Sequence, residues 1–400
     1  MTEISRIVII GGGQAALQLA VSLRAKRFAG SVTLIGDEAY LPYMRPPLSK
    51  GFLKGHTQAQ DLAFRPAAFY VEEDISLALC KRATFVDRVA KSVVLTSGEM
   101  IPYDVLVFAT GARVRRLQCS GSDLDGVMYL RNLDDACALH EKLRDADKII
   151  VIGGGFIGLE VAAIAAKDGK KVKVLEASDR LMGRAVSRDI SEWFLTLHKQ
   201  HGVDIELGSG IKEIRGQNGR VSTVRLVTGS EWEADAIAVG IGVIPNSDIA
   251  SDCGLIVNDG IVVNENPQTS DPNIYAIGDC ARFPCALNNE LTRLESVQNA
   301  VDQAKLLADS IVDGRRPYKC VPWFWTEQYD VKFQMAGLSS GHDEKRIVGD
   351  LSSSAFSIEY AKAGRLIAVD SINRPADHLR ARRKLADELI ASSRSQFSSA

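Results

Sequence analysis

Short apolar runs alternate with glycine turns and helical stretches along this chain, and one such alternation occurs twice. Arg6-Ile7-Val8-Ile9-Ile10 is a strand-length apolar run that enters Gly11-Gly12-Gly13-Gln14-Ala15-Ala16. A helical stretch from Leu17 to Arg24 follows, and Val32-Thr33-Leu34-Ile35 predicts a second strand. About 140 residues later the pattern returns: Ile149-Ile150-Val151-Ile152, Gly153-Gly154-Gly155-Phe156-Ile157-Gly158, an apolar helix to Ala166, then Val172-Lys173-Val174-Leu175. Each copy reads as a strand, glycine turn, helix, strand module of about 30 residues. Three further runs are strands that open into turns: Tyr103 to Ala112, Ala234 to Asn246, and Thr269 to Asp279. After Glu295-Ser296-Val297, the residues Ala300, Val301, Ala304, Leu307, Ala308 and Ile311 recur at helical spacing. Trp323 and Trp325 share one face of an extended segment, with Phe324 on the other. The stretch from Arg374 onward predicts a polar helix with a serine-rich, frayed end.

The glycine turns carry chemistry. In G-x-G-x-x-G the first glycine permits a tight turn. The second lets the backbone approach a pyrophosphate, which rests on the positive end of the following helix. The third position is Gly158 in one copy and Ala16 in the other, a substitution the pattern allows. Both second strands end in acid, Asp37-Glu38 in the first copy and Glu176 in the second. A carboxylate there accepts hydrogen bonds from a ribose 2′-hydroxyl and repels a 2′-phosphate, so Glu176 favours NADH over NADPH. Arg180 and Arg184 follow closely enough to leave tolerance of NADPH open. Two dinucleotide sites in one chain imply a bound redox cofactor and a diffusing hydride carrier, which FAD and a nicotinamide nucleotide satisfy.

Composition narrows the rest. With 400 residues, the chain exceeds one ordinary core and predicts two or three domains. Its 46% apolar and 24% charged content is that of a globular protein. A formal charge of −2 gives no global cationic field for nucleic acid or a membrane surface. No apolar stretch reaches bilayer-spanning length, and the N-terminus lacks a secretory leader. Seven cysteines, an odd number, do not suggest a disulfide framework, so a reducing cytoplasm is the expected location. Cys280 and Cys285 have redox-dithiol spacing, but neither has a helix start or paired base to lower its pKa. They read as a turn residue and a loop residue. No metal site is assigned.

Together these segments resemble the two-dinucleotide-fold flavoproteins related to glutathione reductase. Arg45-Pro46-Pro47-Leu48-Ser49-Lys50, Gly278-Asp279-Cys280-Ala281-Arg282, Glu295-Ser296-Val297 and Pro322-Trp323-Phe324-Trp325 narrow the likeness to the NADH-dependent ferredoxin reductases of bacterial cytochrome P450 and ring-hydroxylating oxygenase systems. The likeness spans essentially the whole chain and weakens after about residue 376. It implies an α/β fold: two Rossmann-like dinucleotide-binding domains plus a small α+β C-terminal domain. The FAD domain would be residues 1–110 and 243–320, the NADH domain 111–242, and the C-terminal domain 321–400.

The resemblance also implies roles. Lys50 and Glu160 match a pair beside the flavin N5 edge, and Phe156 an aromatic that covers the flavin until nicotinamide displaces it. Gly11, Gly13, Ala15, Ala16, Ala109 and Gly111 would border FAD, with Asp37 at the adenosine ribose and Arg45 at the adenosine or pyrophosphate. Ala83 and Arg131 carry over by alignment; Gly278 and Asp279 would meet the ribityl chain, and Val297 would begin a helix aimed at the flavin N1–C2=O edge. Trp325, with Trp323, would border the dimethylbenzene edge. Gly153, Gly155, Ile157, Gly158, Glu176, Arg184 and Gly242 would line the NADH site. The segment Leu41 to Lys50 has no cysteine, so neither the dithiol relay of disulfide reductases nor the single cysteine of related oxidases is present. Electrons would therefore leave for an outside carrier: a [2Fe-2S] ferredoxin serving a P450 or Rieske oxygenase. The chain would be a monomer or weak dimer. An acidic ferredoxin would meet a basic patch drawn from Arg65, Lys305, Arg315, Arg316, Arg380, Arg382, Arg383 and Lys384. Alternatives of the same fold are a rubredoxin reductase, an NADH oxidase, or a signalling flavoprotein like apoptosis-inducing factor.

Overall fold

The computed structural model describes residues 4–314 and 317–397; the patch candidates Arg315 and Arg316 lie outside the described residues. Among the described residues, two five-stranded parallel sheets share one plan. In the first, the strand order is Ile274–Ala276, Val105–Phe108, Arg6–Ile10, Ser31–Ile35, Ile75–Ala78. In the second it is Asp204–Glu206, Lys171–Leu175, Lys148–Ile152, Ala236–Val239, Val127–Tyr129. The strand before each glycine turn is central and flanked on both sides. Its residues are apolar without alternation because helices or loops cover both faces of a parallel sheet. Ile7, Ile9, Val107 and Leu106 are fully buried, as are Val151 and Ile237. Each glycine turn therefore lies at the carboxyl end of a central strand where the chain order reverses, the place where open α/β sheets form a binding crevice.

The repeat extends further than the sequence pattern reveals. Between the second strand of each module and the return strand lies an antiparallel meander: Ala83–Asp87, Ser92–Leu95 and Met100–Pro102 in the first, and Ile211–Gln217, Arg220–Leu226 and Glu231–Glu233 in the second.

All strands of the second sheet fall between residues 127 and 239, and its segment enters and leaves at one place. Ala112–Val114 pairs antiparallel with Val243–Pro245. The Thr110 hydroxyl donates to the Asn246 carbonyl (2.6 Å), and the Asn246 side-chain amide donates to the Thr110 carbonyl (2.9 Å). A third sheet is antiparallel, with order Trp323–Gln328, Val331–Gly337, Arg365–Ile372, Phe356–Lys362, Glu344–Gly349. The helix Pro375–Phe397 packs on it through Ala381 and Leu385, against Val321, Ala336 and Val369.

Candidate dinucleotide and redox site

The two glycine turns are built on matching backbone hydrogen bonds. Gly11 N donates to Ile35 O and Gly153 N to Leu175 O, both at 2.8 Å. Ala109 N donates to Ile10 O and Gly240 N to Ile152 O, again at 2.8 Å. Gly11 (φ +136°) and Gly153 (φ +105°) are required by the protein itself. A Cβ at Gly11 would lie 2.1 Å from Ala109 O, and one at Gly153 would lie 2.4 Å from Gly240 O. Gly158 is equally closed, 2.2 Å from Gly153 O, whereas the first turn accommodates the buried methyl of Ala16 at that position.

Gly13 and Gly155 differ. Each precedes a helix, Gln14–Ala25 and Phe156–Lys167, with φ of −97° and −82°, values any residue adopts. A Cβ at Gly13 would meet nothing within 4 Å, and one at Gly155 only Gly240 O at 3.8 Å. The protein's own atoms give no reason for glycine at either place; a closely approaching group does. Both helices also begin without a side-chain cap or an acidic residue in the first turn. The helices starting at Leu133, Arg188 and Val297 are each capped, by Asn132, Ser187 and Ser296. Uncapped N–H groups beside open backbone suit an anionic pyrophosphate, so the residues fit FAD and a nicotinamide nucleotide.

Around the first turn, the predicted residues largely converge. Gly278 (φ +77°) lies against Ala15, with only 3.2 Å between a Cβ there and the Ala15 methyl. Its N–H donates to Gln303, in the second turn of the helix Val297–Val312, which ties that helix to the glycine turn. Arg131 forms an ion pair with Asp279 (3.0 Å) and donates to Ala112 O (2.7 Å), and its guanidinium fills the space beside Gly111. Arg45 reaches Arg131 O (3.0 Å) and pairs with Glu38 (2.5 Å), which also accepts from the Tyr43 hydroxyl (2.6 Å). Asp37 is exposed. By strand register the first-copy counterpart of Glu176 is Gly36, one residue earlier than Asp37. Ala83 begins its meander strand and shares a core cluster with Ile10 and Ile35.

Around the second turn, Glu176 accepts from Gly154 N (2.6 Å) and Ser178 N (2.7 Å), so its carboxylate stands on the glycine turn. Arg184 is exposed and lies beside Gly242 (φ +98°). Ile157 is exposed at the helix start. Phe156 is half-buried and packs on Phe324 (4.7 Å between ring centres), with Phe333 beyond at 6.4 Å.

An ion pair joins the Arg45–Lys50 segment to the helix of the second turn. Lys50 Nζ is 2.9 Å from each oxygen of Glu160. Glu160 is only 2% exposed and Lys50 18%, so the pair is not the solvated surface contact that a sequence leaves open. The carboxylate accepts further hydrogen bonds from the Ser49 hydroxyl and from Thr326 Oγ1, the latter at 2.5 Å. Ser49 and Thr326 are the site residues that sequence reading missed. Ser49 adjoins Lys50, and Thr326 follows the tryptophan segment, so adjacency was the available signal. Removing one partner of such a buried pair costs roughly 3–5 kcal/mol.

Trp323 and Trp325 do share a face, with ring centres 5.6 Å apart. Arg382 lies over the Trp323 ring at 4.4 Å. Of the other described patch candidates, Arg65, Lys305, Arg383 and Lys384 are exposed, while Arg380 pairs with Asp377. Cys280 and Cys285 are buried free thiols whose pKa burial raises, which opposes thiolate chemistry. One placement is corrected: Cys285 ends the strand Ala281–Cys285 instead of sitting in a loop, because that strand pairs with Glu290–Thr292. Among the described residues, no helix is long and apolar enough to cross a membrane.

Known proteins agree with this architecture. Rhodocoxin reductase of Rhodococcus erythropolis is 48% identical over 383 residues, covering 96% of this chain and 90% of that protein. The crystal structure of the ferredoxin reductase for the CYP199A2 system from Rhodopseudomonas palustris matches with a TM-score of 0.94 at 42% identity, covering 96% and 95% of the two chains. The reductase in the covalent putidaredoxin reductase–putidaredoxin complex matches with a TM-score of 0.93 at 38% identity, covering 96% and 93%. Residues 323–397 match the reductase C-terminal family. Residues 5–304 match the pyridine nucleotide-disulphide oxidoreductase family, whose members use FAD and NAD(P)H, and the chain belongs to that family of oxidoreductases.

Proposed function

We propose that the chain is an NADH-dependent ferredoxin reductase of the cytoplasm, whose partner is a [2Fe-2S] ferredoxin serving a cytochrome P450 or a Rieske-type oxygenase. FAD, when bound, supplies the chemistry that links the two substrates: it takes up a hydride from NADH and releases electrons one at a time. Residues 1–110 and 243–320 would hold FAD, 111–242 NADH, and 321–400 would complete the redox site.

The observation that carries this reading is the Lys50–Glu160 pair. It joins residues 41–50, a segment without cysteine, to the helix of the second glycine turn. A hydride delivers negative charge, and the Lys50 ammonium is a fixed positive group in a site screened from water. Glu160 sets the position of that ammonium and is itself held by Ser49 and Thr326. Glu176 would hold the ribose of NADH from its place on the second turn, and Arg131 with Asp279 would meet FAD beside the first. Without a thiol acceptor, electrons must leave through the surface. Trp323 and Trp325, with Arg382 over the Trp323 ring and Arg383 and Lys384 exposed on the same helix, would give a cationic aromatic surface suited to an acidic protein.

The test is anaerobic stopped-flow spectroscopy of the purified flavoprotein. NADH should bleach the flavin, and a [2Fe-2S] ferredoxin should restore its colour, more slowly as salt is raised. Reoxidation by rubredoxin but by no ferredoxin, or by oxygen alone, would overturn the assignment.

A further inference from the structure

Beyond Glu160 a line of buried side chains continues for three more residues. Thr326 and Gln328 share one face of the strand Trp323–Gln328, and both are fully buried. Gln328 Nε2 lies 3.5 Å from Thr326 Oγ1, and Gln328 Oε1 lies 2.7 Å from His198 Nε2. His198, on the helix Arg188–Gln200 and 0% exposed, has its other nitrogen 3.2 Å from the Tyr329 hydroxyl. Tyr329 sits in the hairpin turn after that strand at φ +58°, a conformation unfavourable for a bulky side chain. Its ring stacks on His201, with centres 3.7 Å apart.

The direction of every hydrogen in this line follows from one fact. Thr326 has a single hydroxyl proton, and its oxygen is 2.5 Å from a carboxylate oxygen that can only accept. The proton must go to Glu160. Thr326 can then only accept from Gln328, so the amide group must present NH₂ to Thr326 and its oxygen to His198. His198 Nε2 must therefore carry the proton, which leaves Nδ1 to accept from Tyr329. Burial lowers the His198 pKa to about 4, so the neutral ring these roles require is its form at neutral pH. Each donor points toward the carboxylate, and donors aligned in series strengthen one another. Glutamine cannot pass a proton along readily, so the line holds Glu160 in place and does not conduct.

We propose that His198 and Gln328 are positioning residues for Glu160, and through it for Lys50, with His198 fixed as the Nε2–H tautomer. This deepens the proposed function by naming what aims its redox pair, and it makes two separate claims, one of geometry and one of rate.

The geometric claim is tested by ¹⁵N NMR of the histidine rings in the FAD-loaded protein, with His198 assigned by the loss of its signals in His198→Gln. Protonated Nε2 is expected; protonated Nδ1 would overturn the proposal, whatever reaction the protein catalyses. The rate claim is tested by the limiting rate of flavin reduction by NADH. His198→Leu leaves Gln328 without its donor and should lower that rate on the order of tenfold, with NADH affinity nearly unchanged. Thr326→Val should lower it at least as much. His198→Gln, which returns an N–H near the Nε2 position, should recover most of it. If His198→Leu and Thr326→Val melt at lower temperature yet reduce flavin at the wild-type limiting rate, the line is structural only and the proposal fails. If the wild-type protein takes no hydride from NADH, the proposed function fails, while the tautomer result stands by itself.

Discussion

Gly13→Ala separates what the fold needs from what a ligand needs. Ala at a helix N-cap costs about 0.5–1 kcal/mol relative to Gly. Against this, a Gly→Ala change at permissive φ recovers about 0.4–1 kcal/mol by restricting the unfolded chain. Gly13 has φ −97° and open space around its missing Cβ, so no clash is added and the two effects nearly cancel. The FAD-free protein should then melt within about 2 °C of wild type. The added methyl projects into the space where a pyrophosphate would approach the backbone. Overpacking by one carbon costs about 1–3 kcal/mol, which is about a 5- to 150-fold rise in the Kd for FAD. Flavin fluorescence titration of the FAD-free protein measures it. Gly155→Ala is the matched variant: it should retain FAD and raise the Kd for NADH by a similar factor. Gly11→Ala is the contrast, since its Cβ would stand 2.1 Å from Ala109 O at φ +136°, and it should damage the fold with or without flavin. Wild-type FAD affinity in a stable Gly13→Ala protein would refute the assignment of the first turn.

Other substitutions test other parts of the molecule. Burial raises the Asp370 carboxyl to about 7, although the Tyr360 hydroxyl donates to it at 2.9 Å. The folded state therefore keeps a proton that the unfolded state releases near pH 4, and stability declines as pH climbs from about 4 to 7, by up to about 4 kcal/mol. Asp370→Asn removes this titration: it should match wild type near pH 4 and exceed it above pH 7 in denaturant melts. An equal difference at both pH values would count against the reasoning. Glu176→Ala frees Gly154 N and Ser178 N and removes the proposed ribose acceptor. The KM for NADH should rise on the order of tenfold while that for NADPH changes little, and an unaltered NADH/NADPH ratio in steady-state kinetics would exclude the role. Lys50→Met strands a buried carboxylate. It should cost about 3 kcal/mol, the low end for a broken buried pair because Ser49 and Thr326 still donate, and it should slow flavin reduction. A variant as stable and as fast as wild type would show the pair to be incidental.

What could be read in the sequence was what is local. The glycine turns announce themselves because φ, close approach and helix start fall within a few adjacent residues. The apolar strands before them are legible because a parallel strand buried on both faces needs no alternation. The helix start at Val297 and the shared face of Trp323 and Trp325 also depend on nearest neighbours. The meanders were missed: their strands are short, and Arg220-Val221-Ser222-Thr223-Val224-Arg225-Leu226 alternates only imperfectly. Glu38 was passed over for Asp37 as the acidic residue of note, because only the folded chain shows Arg45 and Tyr43 closing on it. The Arg131–Asp279 pair links residues 148 apart and had no signature beyond the resemblance that named both.

The redox pair shows why the remainder needs the whole chain. Its three long-range contacts join residues 110, 111 and 166 positions apart. Lys50 and Ser49 follow the second strand of the first sheet, Glu160 stands on the helix of the second, and Thr326 belongs to the third. None of these sheets can form the pair alone. Both hydroxyl donors act on the carboxylate, whereas the ammonium has beyond it, among the described residues, only a long bond to Pro46 O (3.5 Å), so Glu160 is the more firmly anchored member of the pair. That division suits a site where positive charge must stay in place while a nicotinamide comes and goes, because the fixed partner makes no use of the ligand. The third sheet, which carries no glycine turn, thus completes the site through Thr326, and its other polar residues on the same face extend that support to His198. The C-terminal segment is accordingly part of the proposed hydride site as much as of any docking face.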